Sequence, residues 1–146
     1  DKKELLKRVL LGMLESCVKP NRISEELLAS ACSAINHSAW SVLATIHRHD
    51  GLLTIPQIAE QNLISRQAVQ RQITILLKAG YIEPRENPHN KRSPFYALTE
   101  EGWRLFYRVV DEVYDPWLMK LMESYDEEDL KSVLKVFSKI TEQTSQ

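Results

Sequence analysis

Between Thr54 and Leu98 the hydrophobic period of the chain changes from that of a helix to that of a strand, and Gly80 marks the change. Thr54-Ile55-Pro56 predicts the start of a short helix, because proline suits a first helical turn, with Ile58, Ala59 and Leu63 on its buried side. A break at Ile64-Ser65 is brief. Ser65 can cap a second helix in which Val69, Ile73, Leu76 and Leu77 recur at helical spacing, and Gly80 supplies its C-terminal stop. Tyr81–Arg85 and Phe95–Leu98 then read as two strands around a polar loop, Glu86-Asn87-Pro88-His89-Asn90-Lys91-Arg92-Ser93-Pro94, which makes a hairpin with a basic tip. Two helices joined by a tight turn and followed by such a wing can place one helix in a DNA major groove while the loop reaches the adjacent minor groove or backbone.

The flanks are helical. Leu5, Leu6, Val9, Leu10, Met13 and Leu14 form one apolar stripe, predicting a helix over about residues 2 to 18. Ser24, followed by Glu25 and Glu26, reads as the cap of a second helix running to about Ile35, and Asn36 as the cap of a third that contains Trp40, Leu43, Ala44 and Ile46 and ends at Asp50-Gly51. Thr99-Glu100-Glu101-Gly102 opens a long helix with Leu105, Phe106, Val109, Val110, Val113, Tyr114, Trp117, Leu118, Leu121 and Met122 along it, kinked at Pro116. A last helix is expected from about Asp126 to Thr141. The fold class expected is mainly α with a small β-wing. Residues 36–98 would be a winged helix-turn-helix region, and 1–35 and 99–146 a helical region around it, in a single unit. At 146 residues with 43% apolar content the chain can build one core, and no apolar run approaches the roughly 18 residues of a membrane span.

Net charge is −1, so bulk charge does not point to nucleic acid, but its distribution does. Residues 64–96 carry six basic residues against two acidic ones, whereas residues 111–146 carry nine acidic residues against four lysines. A basic segment of this kind can face phosphate. Ser65, Arg66, Gln67, Gln70, Arg71 and Thr74 are left on the outward side of the second helix of the pair, where they can donate to base edges or phosphates.

The sequence resembles the MarR family of winged helix-turn-helix transcriptional regulators over about residues 24–142. The likeness is carried by Ser65-Arg66-Gln67-Ala68-Val69-Gln70-Arg71-Gln72-Ile73 with Leu76, Leu77, Gly80, Tyr81 and Ile82, then by Asn87-Pro88-His89-Asn90-Lys91-Arg92 and Leu98-Thr99-Glu100-Glu101-Gly102. The resemblance implies a cytoplasmic homodimer, built by the first and last helices, that binds an inverted-repeat operator in double-stranded DNA as a repressor released by a small, often aromatic, effector. It implies Arg92 in the minor groove, Lys91 and Arg85 near phosphates, Gln67, Gln70 and Arg71 in the major groove, and Ser65 and Arg66 on backbone phosphate. Asn90 stands where the family usually has an aspartate that holds the wing arginine, so here an uncharged amide takes the supporting role. The first segment, residues 2–18, departs from the family pattern.

Effector-pocket candidates are His37, Trp40, Trp103, Tyr107 and Tyr114, although aromatics at helical spacing more often serve a core. Cys17 and Cys32 suit a reducing compartment as inert thiols; a redox-sensing regulator using either, or one disulfide between them, is the alternative. A winged helix used for protein contacts is the other alternative. His37, His47, His49 and His89 show no metal spacing, and no phosphate loop, nucleophile elbow or Cys-x-x-Cys occurs, so neither enzyme activity, a metal nor a cofactor is expected.

Overall fold

The computed structural model describes residues 1–16, 22, 25–26, 28–29 and 35–144. Ser24, Cys17 and Cys32 lie outside the described residues, so the helix cap at Ser24 and the two thiol readings have no structural counterpart here. The chain divides into two compact units, Asp1–Val109 and Val110–Gln146.

The first unit contains α1 (Lys2–Ser16), α2 (His37–Arg48), α3 (Ile55–Asn62), α4 (Arg66–Lys78), β1 (Ile82–Arg85), β2 (Phe95–Leu98) and α5 (Glu100–Val109). The helix starts follow the polar residues that the sequence offers. Asn36 Oδ1 accepts from the Ala39 N–H at 2.8 Å and caps α2, and Ser65 Oγ accepts from the Ala68 N–H at 3.0 Å and caps α4. At α3, Gln57 Oε1 accepts from both the backbone N–H (2.9 Å) and the hydroxyl (3.1 Å) of Thr54. The helix ends are equally legible. Gly80, at φ +78, closes α4: its own N–H reaches the Leu77 carbonyl and the Tyr81 N–H reaches the Leu76 carbonyl, both near 3 Å. Asp50 and Gly51 end α2 with positive φ in the same way.

Leu43 and Ile46 of α2, Ile58 of α3, and Val69, Ile73 and Leu76 of α4 are fully buried and make the core. Two residues expected inside lie outside. Leu63 takes the left-handed position that ends α3, φ +53, and this aims its side chain at solvent, 91% exposed. Leu77 sits one position past the buried edge of α4 and is partly exposed.

β1 and β2 pair antiparallel with Ile82 opposite Leu98 and Arg85 opposite Phe95. Pro84 faces Tyr96 at a pair that needs no donor from the proline, because the Tyr96 N–H points away from β1 and donates to the Leu53 carbonyl at 3.3 Å. β2 therefore lies between β1 and the segment that follows α2. Thr99 then joins wing to helix. Its hydroxyl donates to the Gly80 carbonyl (2.6 Å) and accepts from the Gly102 N–H (3.1 Å), while its backbone N–H donates to the Tyr81 carbonyl (3.0 Å).

In the second unit, π-helical turns over Val110–Tyr114 precede α6 (Asp115–Met122), and α7 (Glu127–Thr144) follows. Where a kink at Pro116 is expected, the helix changes to π turns just before the proline without interruption. Proline removes one helical hydrogen bond and crowds the carbonyl four residues back, at Glu112, and the wider π turns relieve that crowding. Asp126 caps α7 through Oδ1, which accepts from the Asp129 N–H at 2.9 Å.

Gly102 lies against the Tyr81 carbonyl so closely that an added Cβ would overlap the oxygen, whereas nothing stands near a Cβ added at Gly12. Urea unfolding of Gly102→Ala should therefore show a loss of about 2–3 kcal/mol from forced backbone displacement. Gly12→Ala should be neutral or stabilising by up to about 1 kcal/mol. Equal stability for Gly102→Ala and the unaltered chain would show that the helix–wing junction is not closely packed.

Candidate nucleic-acid interface

The α4 face expected to be free is free. Val69, Ile73 and Leu76 turn inward, so the helical period leaves Arg66, Gln67, Gln70, Arg71 and Thr74 exposed, beginning at the exposed Ser65. Ser65 is committed by its hydroxyl to the cap, which leaves the first N–H groups of α4 aimed outward as an anion-attracting end. Thr74 Oγ1 donates to the Gln70 carbonyl at 2.9 Å, so its oxygen is left to accept. Gln72, between these residues, is half-buried and has a buried amide oxygen with no hydrogen-bond partner among the described atoms.

The wing tip is built on two asparagines. Asn87 is 6% exposed; its Nδ2 donates to the Ser93 carbonyl at 2.9 Å and its Oδ1 accepts from the His89 N–H at 3.1 Å. One amide thus ties both sides of the loop. The backbone N–H of Asn90 donates to the Asn87 carbonyl, and that of Ser93 to the Asn90 carbonyl. Asn90 Oδ1 accepts from the backbone N–H of Arg92 at 3.1 Å. Asn90 therefore holds Arg92 by its main chain and leaves the guanidinium to solvent. Sequence reading missed Asn87, although the Asn-Pro-His turn signal marks a residue of the kind that bonds its own backbone two positions on.

The six basic residues of this segment are not equivalent. Arg85 makes an ion pair with Glu83, its same-face neighbour two residues away on β1, at 3.0 Å from Nε and 2.6 Å from Nη2 to the same oxygen. Among the described residues no carboxylate pairs with Arg66, Arg71, Lys91 or Arg92. The free positive charge is concentrated on α4 and on the loop tip.

Of the five pocket candidates, four lie in the first unit and Tyr114 in the second. Trp40 is 5% exposed and stacks on Phe106 at 5.4 Å, a core role. His37 is half-buried at the start of α2, beside a cavity that Glu25, Leu28 and Asn36 also line. Trp103 and Tyr107 stack on one another at 5.8 Å on the exposed side of α5, and Tyr114 belongs to the second unit. His47, weighed in the sequence only as a metal ligand, lies between Phe106, stacked at 3.7 Å, and Trp103, edge-on at 4.9 Å. No group of histidine, cysteine and carboxylate side chains suited to a metal occurs among the described residues, and no described helix is long and apolar enough to cross a membrane.

The MarR family model matches residues 35–93, the stretch from the start of α2 to the wing tip. This stretch is similar to the MarR family. The chain is 34% identical over 90 residues to the uncharacterized protein Rv2011c of Mycobacterium tuberculosis, an alignment covering 62% of this chain. It spans about 61% of the length of that curated relative. Two solved structures share the fold: the MarR family transcription regulator SP03579, with a TM-score of 0.82 and 20% identity over 99% of this chain and 93% of that one, and Sco3205 of Streptomyces coelicolor, a MarR family transcriptional regulator in complex with DNA, with a TM-score of 0.77 and 19% identity over 94% of this chain and 90% of that one. The fold is that of MarR-family transcription regulators: mostly helical, with one small antiparallel sheet as its wing.

Asn87→Ala removes both bonds that tie the loop. Amide exchange at His89 should become about tenfold faster or more, in keeping with the 1–3 kcal/mol expected when a buried hydrogen-bonding group is lost, while Val69 and Ile73 keep their protection. Unchanged exchange at His89 would mean that the loop holds its shape without the Asn87 amide.

Proposed function

We propose that this chain is a sequence-specific double-stranded DNA-binding regulator of transcription, acting as a homodimer on an inverted-repeat operator. The observation that carries the reading is the set of exposed, unpaired cations Arg66, Arg71, Lys91 and Arg92 on α4 and the wing tip, two elements joined through a single junction. In this reading α4 lies in the major groove. Gln67, Gln70 and Arg71 meet base edges there, since glutamine matches adenine and arginine matches guanine through paired hydrogen bonds. Ser65, Arg66 and Thr74 lie near the phosphates at the edges of α4, and Lys91 contacts the backbone beside the wing. Arg92 enters the minor groove, where a narrow width concentrates negative potential. Arg85 reaches phosphate only by leaving Glu83, so it adds less than Arg92 does. Sco3205, which shares the fold, is a regulator in complex with DNA, and this supports the reading.

The dimer rests on apolar surface that the single chain leaves open. Leu5, Leu6, Val9 and Leu10 on α1, and Leu130, Val133, Leu134 and Phe137 on α7, are all exposed. Residues 1–35 and 99–146 form the dimerisation region in this proposal, and residues 36–98 the DNA-binding region. Two-fold symmetry then sets the recognition helices about 34–36 Å apart, one turn of DNA. The protein is a cytoplasmic binding protein rather than an enzyme, and represses until a small effector favours a spacing that fits the operator poorly.

Selection from a random double-stranded DNA pool should enrich an inverted repeat with half-sites about one helical turn apart, bound with an affinity that falls steeply as salt rises. Arg92→Ala should weaken binding across sequences and lower the salt slope by about 1, whereas Gln70→Ala should cost about 1–3 kcal/mol at one base position only. A pool without enrichment, or binding indifferent to salt, would replace this reading with a protein-contact surface on the same fold.

A further inference from the structure

A groove of about 590 Å³ runs between the end of α2, the root of the wing and α5, all within the first unit. Its size is that of small-molecule sites in general. One wall is aromatic: Trp103 is 40% exposed, and Phe95 and His47 are half-buried beside it. His47 is itself packed by the stack on Phe106 and the edge-on contact with Trp103. The charges around the opening are Asp50, Glu86 and Arg85. Arg85 is neutralised by Glu83 at 2.6 Å, whereas neither Asp50 nor Glu86 has an ion-pair partner among the described residues. The groove therefore presents an aromatic face with uncompensated negative charge at its rim.

We infer that this groove is a binding site for an organic cation carrying aromatic or other apolar groups. The rings of Trp103 and Phe95 attract such a cation through their electron-rich surfaces, and the two carboxylates add attraction that an anion of the same shape would meet as repulsion. The uncompensated carboxylates separate this ligand class from the neutral or acidic aromatic compounds that the same wall would also stack. The occupant would bridge the wing root to α2 and α5. The inference is independent of the DNA-binding reading, because its test contains no DNA.

Tetraphenylphosphonium and tetraphenylborate have the same shape and opposite charge, and equilibrium dialysis of each against the full chain decides the matter. The cation should bind at least about tenfold more tightly than the anion, and Trp103→Ala should weaken it about tenfold, in line with the loss of a partly desolvated cation–π contact. Asp50→Asn combined with Glu86→Gln should remove most of the preference for the cation; both sites are exposed, and asparagine tolerates the positive φ at position 50, so this variant keeps the fold. Equal or tighter binding of the borate, or cation binding indifferent to both variants, would overturn the assignment.

Discussion

Thr99 ends one half of the winged helix and begins the other. Its hydroxyl donates to the Gly80 carbonyl, just past the end of α4, and accepts from Gly102 in the first turn of α5; its backbone N–H donates to Tyr81 at the root of the wing. Gly80 can offer that carbonyl only because it holds φ at +78, and Gly102 can come close to Tyr81 only because it has no Cβ. Four residues of three elements thereby share one arrangement. The end of α4, the base of β1 and the start of α5 are tied together by these bonds. A ligand acting from α5 on the proposed DNA face would have to act through this junction.

Much of this was legible because its signals are local. The caps at Asn36 and Ser65, the stop at Gly80 and the turn at Asp50-Gly51 each depend on a residue bonding to backbone within a few positions, and each occurs where the sequence suggests. The exposed face of α4 followed from the period of Val69, Ile73 and Leu76. What stayed hidden depends on partners distant in sequence or on backbone strain. Leu63 reads as core by type and spacing, but ending α3 requires a left-handed residue there and solvent receives the side chain. The aromatic residues share one alphabet for core and surface, so nothing local separates Trp40, stacked inside on Phe106, from Trp103, open to a groove. His47 acquires its role only from Phe106 and Trp103, more than fifty residues away.

The wing shows how a missing charge changes the means of support without removing it. A carboxylate at position 90 could pair with the Arg92 side chain; the amide that stands there bonds the Arg92 main chain instead, and the buried Asn87 amide ties the two sides of the loop through Ser93 and His89. Fixing the backbone rather than the guanidinium leaves the cation uncompensated. A neutral clamp therefore keeps the loop ordered and its charge available, where a salt bridge would weaken the attraction to phosphate that the tip is proposed to provide.

The same sorting of charge extends over the chain and explains how a protein of net charge −1 can present a basic face. Arg104 pairs with Glu100 and Glu101, Lys131 with Glu127, and Arg22 with Glu26, each within one helical turn. Arg85 pairs across one strand position with Glu83. Such exposed pairs add little stability, about 0–1 kcal/mol each, but they cancel field locally. α4 has no acidic residue anywhere along its length, so helical spacing cannot supply Arg66 or Arg71 with a partner, and the wing tip from Asn87 to Pro94 has none either. The uncancelled positive field belongs to these two elements, and the uncancelled negative charge of Asp50 and Glu86 stands at the groove rim, Glu86 immediately before the tip in sequence. The Arg85–Glu83 pair, next to Glu86, carries no net charge. Breaking it would free a cation toward either phosphate or the groove, and the strand geometry that places residues 83 and 85 on one face keeps it closed.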